Sequence, residues 1–146
     1  NASASGKALL SRMADADIHQ LLSSKKLSAW TERSKTDPAS ILADIRLIRE
    51  FGWSINLQEL FSDTVSVSTA FSSPLEATAM AMSVSIHSSN LKDVVQGIEA
   101  LLEASTEIGN AIGDDFWIGD KRRLDVDVIA EAVNSYANAL GVELKS

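Results

Sequence analysis

Two segments of alternating character, residues 65–73 and 77–88, constrain this chain more than anything else in it. Val65, Val67, Phe71, Met80, Met82, Val84 and Ile86 fall at alternate positions, with Ser66, Ser68, Ser83 and Ser85 between them. An extended chain turns successive side chains to opposite faces. Each segment is therefore predicted to be a strand with one bulky apolar face and one face of small hydroxyls. The apolar face reads as core. Solvent-facing serines are ordinary on an exposed antiparallel sheet, but Ala70, Ala79 and Ala81 share this face where Lys, Glu or Thr would be expected. A face of small residues leaves room, and room lined with hydroxyls suits a small polar ligand.

The rest of the chain supplies helices. Ala8, Leu9, Leu10 and Met13 predict a short helix after a small-residue loop at 4–6. Asp15 or Asp17 is the expected cap of a second helix through Ile18, Leu21 and Leu22. Asp37-Pro38 starts a third, with Asp37 as N-cap, Pro38 in the first turn, and Ile41, Leu42, Ile45 and Ile48 at helical spacing. Gly52 sits where its C-terminal stop belongs. A short strand at 53–57 and a loop around 60–63 lead into the serine-bearing pair, whose turn holds Pro74 where it costs no ladder bond. A connection with an even number of residues brings Ser66 and Ser83 close to facing each other. Asn90 is the expected cap of a long helix carrying Leu91, Val94, Val95, Ile98, Leu101, Leu102 and Ile108. A loop at 113–121 then precedes a last amphipathic helix with Val126, Ile129, Val133, Tyr136 and Leu140. Three strands among five or six helices predict an α+β domain with an antiparallel meander.

Composition excludes several functions. With 146 residues and a net charge of −7, the chain reads as one domain, ill-suited to grip nucleic acid, which requires clustered Lys and Arg. The one dense basic run, Lys121-Arg122-Arg123, is flanked by Asp120 and Asp125 and reads as a solvated patch. Cysteine is absent, which removes disulfides and thiol chemistry and fits a reducing cytoplasm. No apolar run approaches the roughly 18–20 residues of a membrane span, and no signal peptide is visible.

Catalytic motifs fare poorly. Ser5-Gly6-Lys7 resembles the end of a phosphate-binding loop. However, the first glycine of that motif would fall at Asn1, and Ala8 replaces the required Ser or Thr. What survives is a helix entrance whose backbone N–H groups attract anions. His19 and His87 lack the partners and spacing of a metal site, although His87 shares the parity of Ser83 and Ser85. Asp114-Asp115 and Asp15/Asp17 read as loop and cap residues rather than an acid–base pair. Trp30, Trp53 and Trp117 are scattered and read as core or interface. No nucleophile elbow is present, and the chain is not expected to be an enzyme.

The order of segments resembles the effector-binding domain of IclR-type bacterial transcription regulators. The resemblance rests on Gly6-Lys7-Ala8-Leu9-Leu10-Ser11, on the helix exit from Ile45 through Gly52-Trp53-Ser54, and on Ser83-Val84-Ser85. It covers about residues 3–112, with residues 124–142 an additional C-terminal helix of a single domain spanning 1–146. It implies a GAF-like domain, an antiparallel sheet flanked by helices, with the family's N-terminal strands and its winged helix-turn-helix absent from this chain. Family pockets use positions that match Ala4 and Ser5 at the helix entrance, Asn56 after the G-[YW]-[AS] exit, and Thr64, Ser66, Ser83 and Ser85 on the paired strands. Departures are present. Asn56-Leu57-Gln58-Glu59 replaces an acidic run, Asp63 stands where Gly is common, and Ser68-Thr69-Ala70-Phe71-Ser72-Ser73 replaces A-A-P-V-F-D. Asn at 56 removes a repulsion toward an anionic ligand and can both donate and accept.

The resemblance thus implies a cytoplasmic ligand-sensing and oligomerising domain, dimeric or tetrameric through an open strand edge. Its expected partner is a small organic acid, with no cofactor and no metal, and with DNA engaged only through a domain outside this chain. The alternative reading is a GAF- or PAS-like protein-interaction module that holds no metabolite.

Overall fold

The computed structural model describes residues 1–75, 79–118 and 125–139. The chain forms α1 (Ala4–Ser11), α2 (Asp15–Ser24), α3 (Pro38–Phe51), β1 (Ser54–Leu57), β2 (Thr64–Ser72), β3 (Ala79–His87), α4 (Val94–Ile112) and α5 (Val126–Ala139). A 3₁₀ segment, Ser88–Asp93, precedes α4. The fold is α+β, with one antiparallel sheet in the order β1-β2-β3 and, among the described residues, five α-helices.

Alternation in sequence becomes two unlike faces in space. Val65, Val67 and Phe71 join Ile55 and Leu57 of β1 against Val94, Ile98, Leu101 and Leu102 of α4, with Ile129 and Val133 of α5 behind. The opposite face carries Ser54, Asn56, Ser66, Ser68, Ser83 and Ser85, and α1 lies across it. Buried Ala4 and Ala8 let the α1 backbone come close, so that the Ser54 hydroxyl donates to the Ala4 carbonyl at 2.7 Å. A second apolar cluster, Leu10, Ile18, Leu22, Ile41 and Ile45, ties α1 to α2 and α3.

Several local expectations need correction. The first helix begins at Ala4, not after a loop at 4–6, because the Ser3 hydroxyl caps it by accepting from the Gly6 N–H at 3.1 Å. Neither Asp15 nor Asp17 caps α2; both sit in its first turn, behind Ala14, where their charge favours the helix dipole. Asn90 lies inside the 3₁₀ segment and α4 starts only at Val94. Ser66 pairs with Ser85, and Ser83 with Ser68, so Ser66 and Ser83 are diagonal rather than opposed. Parity follows from alternation, whereas the offset follows from where the connection closes, at Ser72 opposite Ala79. Asp37 caps α3 by accepting from the Ser40 N–H at 2.9 Å, and Gly52 ends it at φ 87°, as expected.

On β3 the apolar face is only partly core. Met80 is 53% exposed and Val84 36%, because β3 is the edge strand and α4 centres on β2. The predicted strand start at 77, the run Lys121-Arg122-Arg123, Leu140 and the ends of the 124–142 helix lie outside the described residues. So do the side chains of Leu91, Val126 and Tyr136.

Asp114, read from sequence as a loop residue, is buried and ties the α4–α5 connection to the sheet. It accepts from the Ser72 N–H at 2.8 Å and pairs with Arg12, the C-cap of α1, at 2.5 Å. Next to it, Trp117 packs on Gly109 and donates its indole N–H to the Ala70 carbonyl at 3.0 Å. A Cβ at Gly109 would lie 2.3 Å from Trp117 Cβ, whereas one at Gly97 first meets Ile86 Cδ1 at 3.4 Å. Gly109→Ala is therefore expected to lose about 3 kcal/mol through overpacking. Gly97→Ala is expected to be neutral or to gain up to about 1 kcal/mol from helix propensity. Urea denaturation of both variants checks the contrast, and equal effects would refute this packing.

Candidate ligand-binding site

Where α1 begins, the sheet is no longer covered by helix, and a hollow of about 350 Å³ opens. Its lining is Ser3, Ala4 and Ser5 from the α1 entrance, Asn56 from β1, and Leu60 and Phe61 from the β1–β2 loop. Thr64 and Ser66 of β2 and Ser83 and Ser85 of β3 complete it. The structure thus brings all seven residues singled out in the sequence around one space, together with Ser3, Leu60 and Phe61, which sequence reasoning passed over.

Their chemistry differs in detail. The first-turn N–H groups of Ala4 and Ser5 have no acceptor within the helix, while the Gly6 N–H is already taken by Ser3. On the strands the hydroxyls pair across the sheet. Ser66 and Ser85 Oγ lie 2.9 Å apart, and Ser83 Oγ donates to Ser68 Oγ at 2.9 Å. Ser68, fully buried, donates its own O–H to the Met82 carbonyl at 2.8 Å. Thr64 Oγ1 donates to Asp63 at 3.0 Å. Ser83 and Ser85 are exposed at the open edge of β3, so the hollow is sheltered by α1 on one side and open on the other.

Asn56 is 4% exposed, and its amide is largely committed to the protein. Its Nδ2 donates to the Ala2 carbonyl, and its Oδ1 accepts from the Glu59 N–H at 2.7 Å. It therefore shapes the hollow, fastening the chain before α1 to the loop after β1, with one N–H and one lone pair left over.

Sequence reasoning also missed a buried ionic cluster. Lys7, on the buried stripe of α1 with Ala4 and Ala8, is 1% exposed. Its Nζ reaches Glu59 Oε1 at 2.7 Å and Asp44 Oδ2 at 3.1 Å, while Lys35 takes the other Asp44 oxygen at 2.5 Å. Burial holds the Glu59 carboxyl above the usual carboxylate range, against the opposing pull of Lys7. The available signal was a lysine at i+3 from one alanine and next to another on a small-residue stripe, a place where a charge needs a partner. Beyond Leu60 and Phe61 lies a second, wider groove of about 640 Å³ that includes Trp30 and Arg33. Trp53 and Trp117 are core, as expected, but Trp30 is 65% exposed.

Comparison with known proteins is consistent across sequence and structure. Residues 1–112 match the family model described as bacterial transcriptional regulator IclR C-terminal. The HTH-type transcriptional repressor AllR of Escherichia coli strain K12 is 27% identical over 116 residues, covering 77% of this chain and 42% of that protein. The chain thus spans less than half the length of this relative. The IclR of Thermotoga maritima superposes with a TM-score of 0.70 at 19% identity, over 77% of this chain and 46% of that one. The inducer-binding domain of PobR from Acinetobacter, a double mutant in complex with 3-hydroxybenzoic acid, gives a TM-score of 0.68 at 17% identity, over 76% of this chain and 65% of that one. The two superpositions speak to the fold alone.

Among the lining residues, loss of Asn56 is expected to be costly and loss of Ser66 cheap. Asn56→Ala strands the buried Glu59 N–H and Ala2 carbonyl and should cost about 2–4 kcal/mol. Ser66→Ala, at a half-exposed hydroxyl, should stay within about 0.5 kcal/mol. Chemical denaturation of the two variants measures the difference.

Proposed function

The chain belongs to the family of IclR-type bacterial transcriptional regulators, as their C-terminal domain, and from that premise we propose that it senses a small organic acid in the hollow at the entrance of α1. The family is one of transcription regulators, not enzymes. The reading rests on one observation, the convergence of uncommitted helix-entrance N–H groups with strand hydroxyls around a space of about 350 Å³. Among the described residues, none that lines the hollow carries an ionisable side chain. An anion would therefore be met by backbone N–H groups and the positive end of the α1 dipole rather than by a cationic side chain.

In this reading the carboxylate sits against the N–H groups of Ala4 and Ser5. Ser66, Ser83 and Ser85 hydrogen-bond the ligand's polar atoms, Thr64 and the spare capacity of Asn56 close the shell, and Leu60 and Phe61 pack on its hydrocarbon. The PobR domain, of similar fold, is bound to 3-hydroxybenzoic acid. DNA would be contacted by a separate helix-turn-helix domain in the cytoplasm. Ligand would alter its affinity only by binding one arrangement of the regulator better than another. Among the described residues no strand pairs with the outer edge of β3, which supports association with further chains, as a dimer or tetramer. The exposure of Ser83 and Ser85 is the one observation that favours the alternative, a protein-interaction module with no metabolite.

Each neutral hydrogen bond contributes on the order of 1 kcal/mol, so Ser83→Ala is expected to weaken binding several-fold with the melting temperature unchanged. Calorimetry with a panel of small aliphatic and aromatic acids, 3-hydroxybenzoate among them, tests this. Affinity that is unchanged in Ser83→Ala removes the hydroxyls from the site. No binding across the panel favours the interaction module.

A further inference from the structure

The residues on either side of the hollow are fastened to each other from behind by one buried contact. Ser3, Ala4 and Ser5 form one wall; Lys7 follows within the next turn of the same helix. Leu60 and Phe61 line it from the β1–β2 loop, and Glu59 immediately precedes them. The Lys7 Nζ to Glu59 Oε1 contact, 2.7 Å long and with both side chains at most 2% exposed, bridges the two. Glu59 is also the fixed end of the loop in other respects. Its N–H is held by Asn56, and its carbonyl accepts from the Ser34 hydroxyl at 2.5 Å. Gln58, just before it, adopts φ 62°, a left-handed conformation that a residue with a side chain adopts only when its surroundings hold it there. The loop that carries Leu60 and Phe61 is thus strained at its base and clamped one residue later.

We propose that Lys7 and Glu59 are a positioning pair that sets the gap between the α1 entrance and the Leu60–Phe61 wall, and that protonation of Glu59 releases that gap. Neither residue lines the hollow; both act through the residues that do. The geometry leaves Glu59 Oε2 buried with no hydrogen-bond partner, so a proton has a place to bind. The charged groups facing it are Lys7 of α1, Asp44 of α3 and Lys35 of the α2–α3 connection. With Glu59 neutral, Lys7 keeps Asp44, and the ion pair across the two walls becomes a hydrogen bond from the Lys7 ammonium to an uncharged carboxyl, without the attraction between opposite charges.

The sign for overall stability runs the other way. A carboxyl whose folded pKa is raised above its unfolded value of 4.5 gives its full contribution to stability below pH 4.5, and that contribution disappears as pH rises through the folded value. Ionised Glu59 is therefore held at a cost to the fold. Removing its charge should loosen the walls without destabilising the domain, a combination that a purely structural salt bridge would not produce.

The pairing deepens the sensor reading above, but its test needs no ligand. Amide hydrogen exchange in the chain should show Gly6, Lys7 and Gln58, whose N–H groups are held by Ser3 and Thr64 at the bases of the two walls, exchanging about tenfold faster in Glu59→Gln, the equivalent of roughly one charge-assisted hydrogen bond. Exchange at Val67, in the core of β2, and the urea midpoint at pH 7 should be unchanged or improved. In wild type, the ratio of wall to Val67 exchange should rise as pH falls through the Glu59 titration, followed by carbon-13 NMR of its carboxyl. That pH dependence should vanish in Lys7→Met/Glu59→Leu. Uniform acceleration in Glu59→Gln, or a wild-type ratio flat across the Glu59 titration, overturns the proposal. The wild-type titration decides if the variants do not fold. Failure of every acid to bind would sink the sensor reading and leave this result standing.

Discussion

Everything in this domain depends on how closely α1 approaches the sheet. A helix backbone reaches a sheet this tightly only where both surfaces are built of small side chains, here Ala4 and Ala8 above Ser54 and Ser68. The serines serve both sides of that contact. Their hydroxyls satisfy one another and nearby carbonyls, so the interface buries polar atoms without leaving them unpaired. Past the start of α1 the same small-residue face continues without a helix above it among the described residues. The hollow is thus the extension of a packing surface beyond its helix, not a separate invention.

This arrangement also explains why the hollow carries no ionised side chain. The one lysine on the inner stripe of α1 faces Asp44 and Glu59, because a buried ammonium requires carboxylates and the hollow offers none. What remains at the helix entrance is weaker and more directional: backbone N–H groups and a dipole. Such a site suits recognition with modest affinity. Chemistry would need a nucleophile and a base in register.

Much of the fold was legible because it depends on neighbours in sequence. The period of two in residues 65–73 and 77–88 placed the apolar and hydroxyl faces. Asp37-Pro38 and Gly52 bounded α3, since a cap, a fixed φ and a left-handed stop are all local devices. Seven of the ten lining residues were selected partly by that alternation and partly by resemblance to a family. The helix entrance misled in one respect: Ala4, Ser5 and Gly6 look like a loop, and only the Ser3 cap turns them into the first turn of α1. Asn90 failed as a cap because the chain tightens into a 3₁₀ segment as it leaves the β3 edge.

By itself, then, the sequence determined the α+β class, the two faces of the hairpin and the ends of α3, because steric preferences and side-chain periodicity act over a few residues. Tertiary structure alone decided the pairing offset of β2 and β3, the exposure of Ser83 and Ser85, the burial of Asp114, and the meeting of Lys7 with Glu59 across 52 positions. Those outcomes depend on which surfaces come within a few ångströms after the chain has closed on itself. Charge desolvation and packing are settled only at that distance.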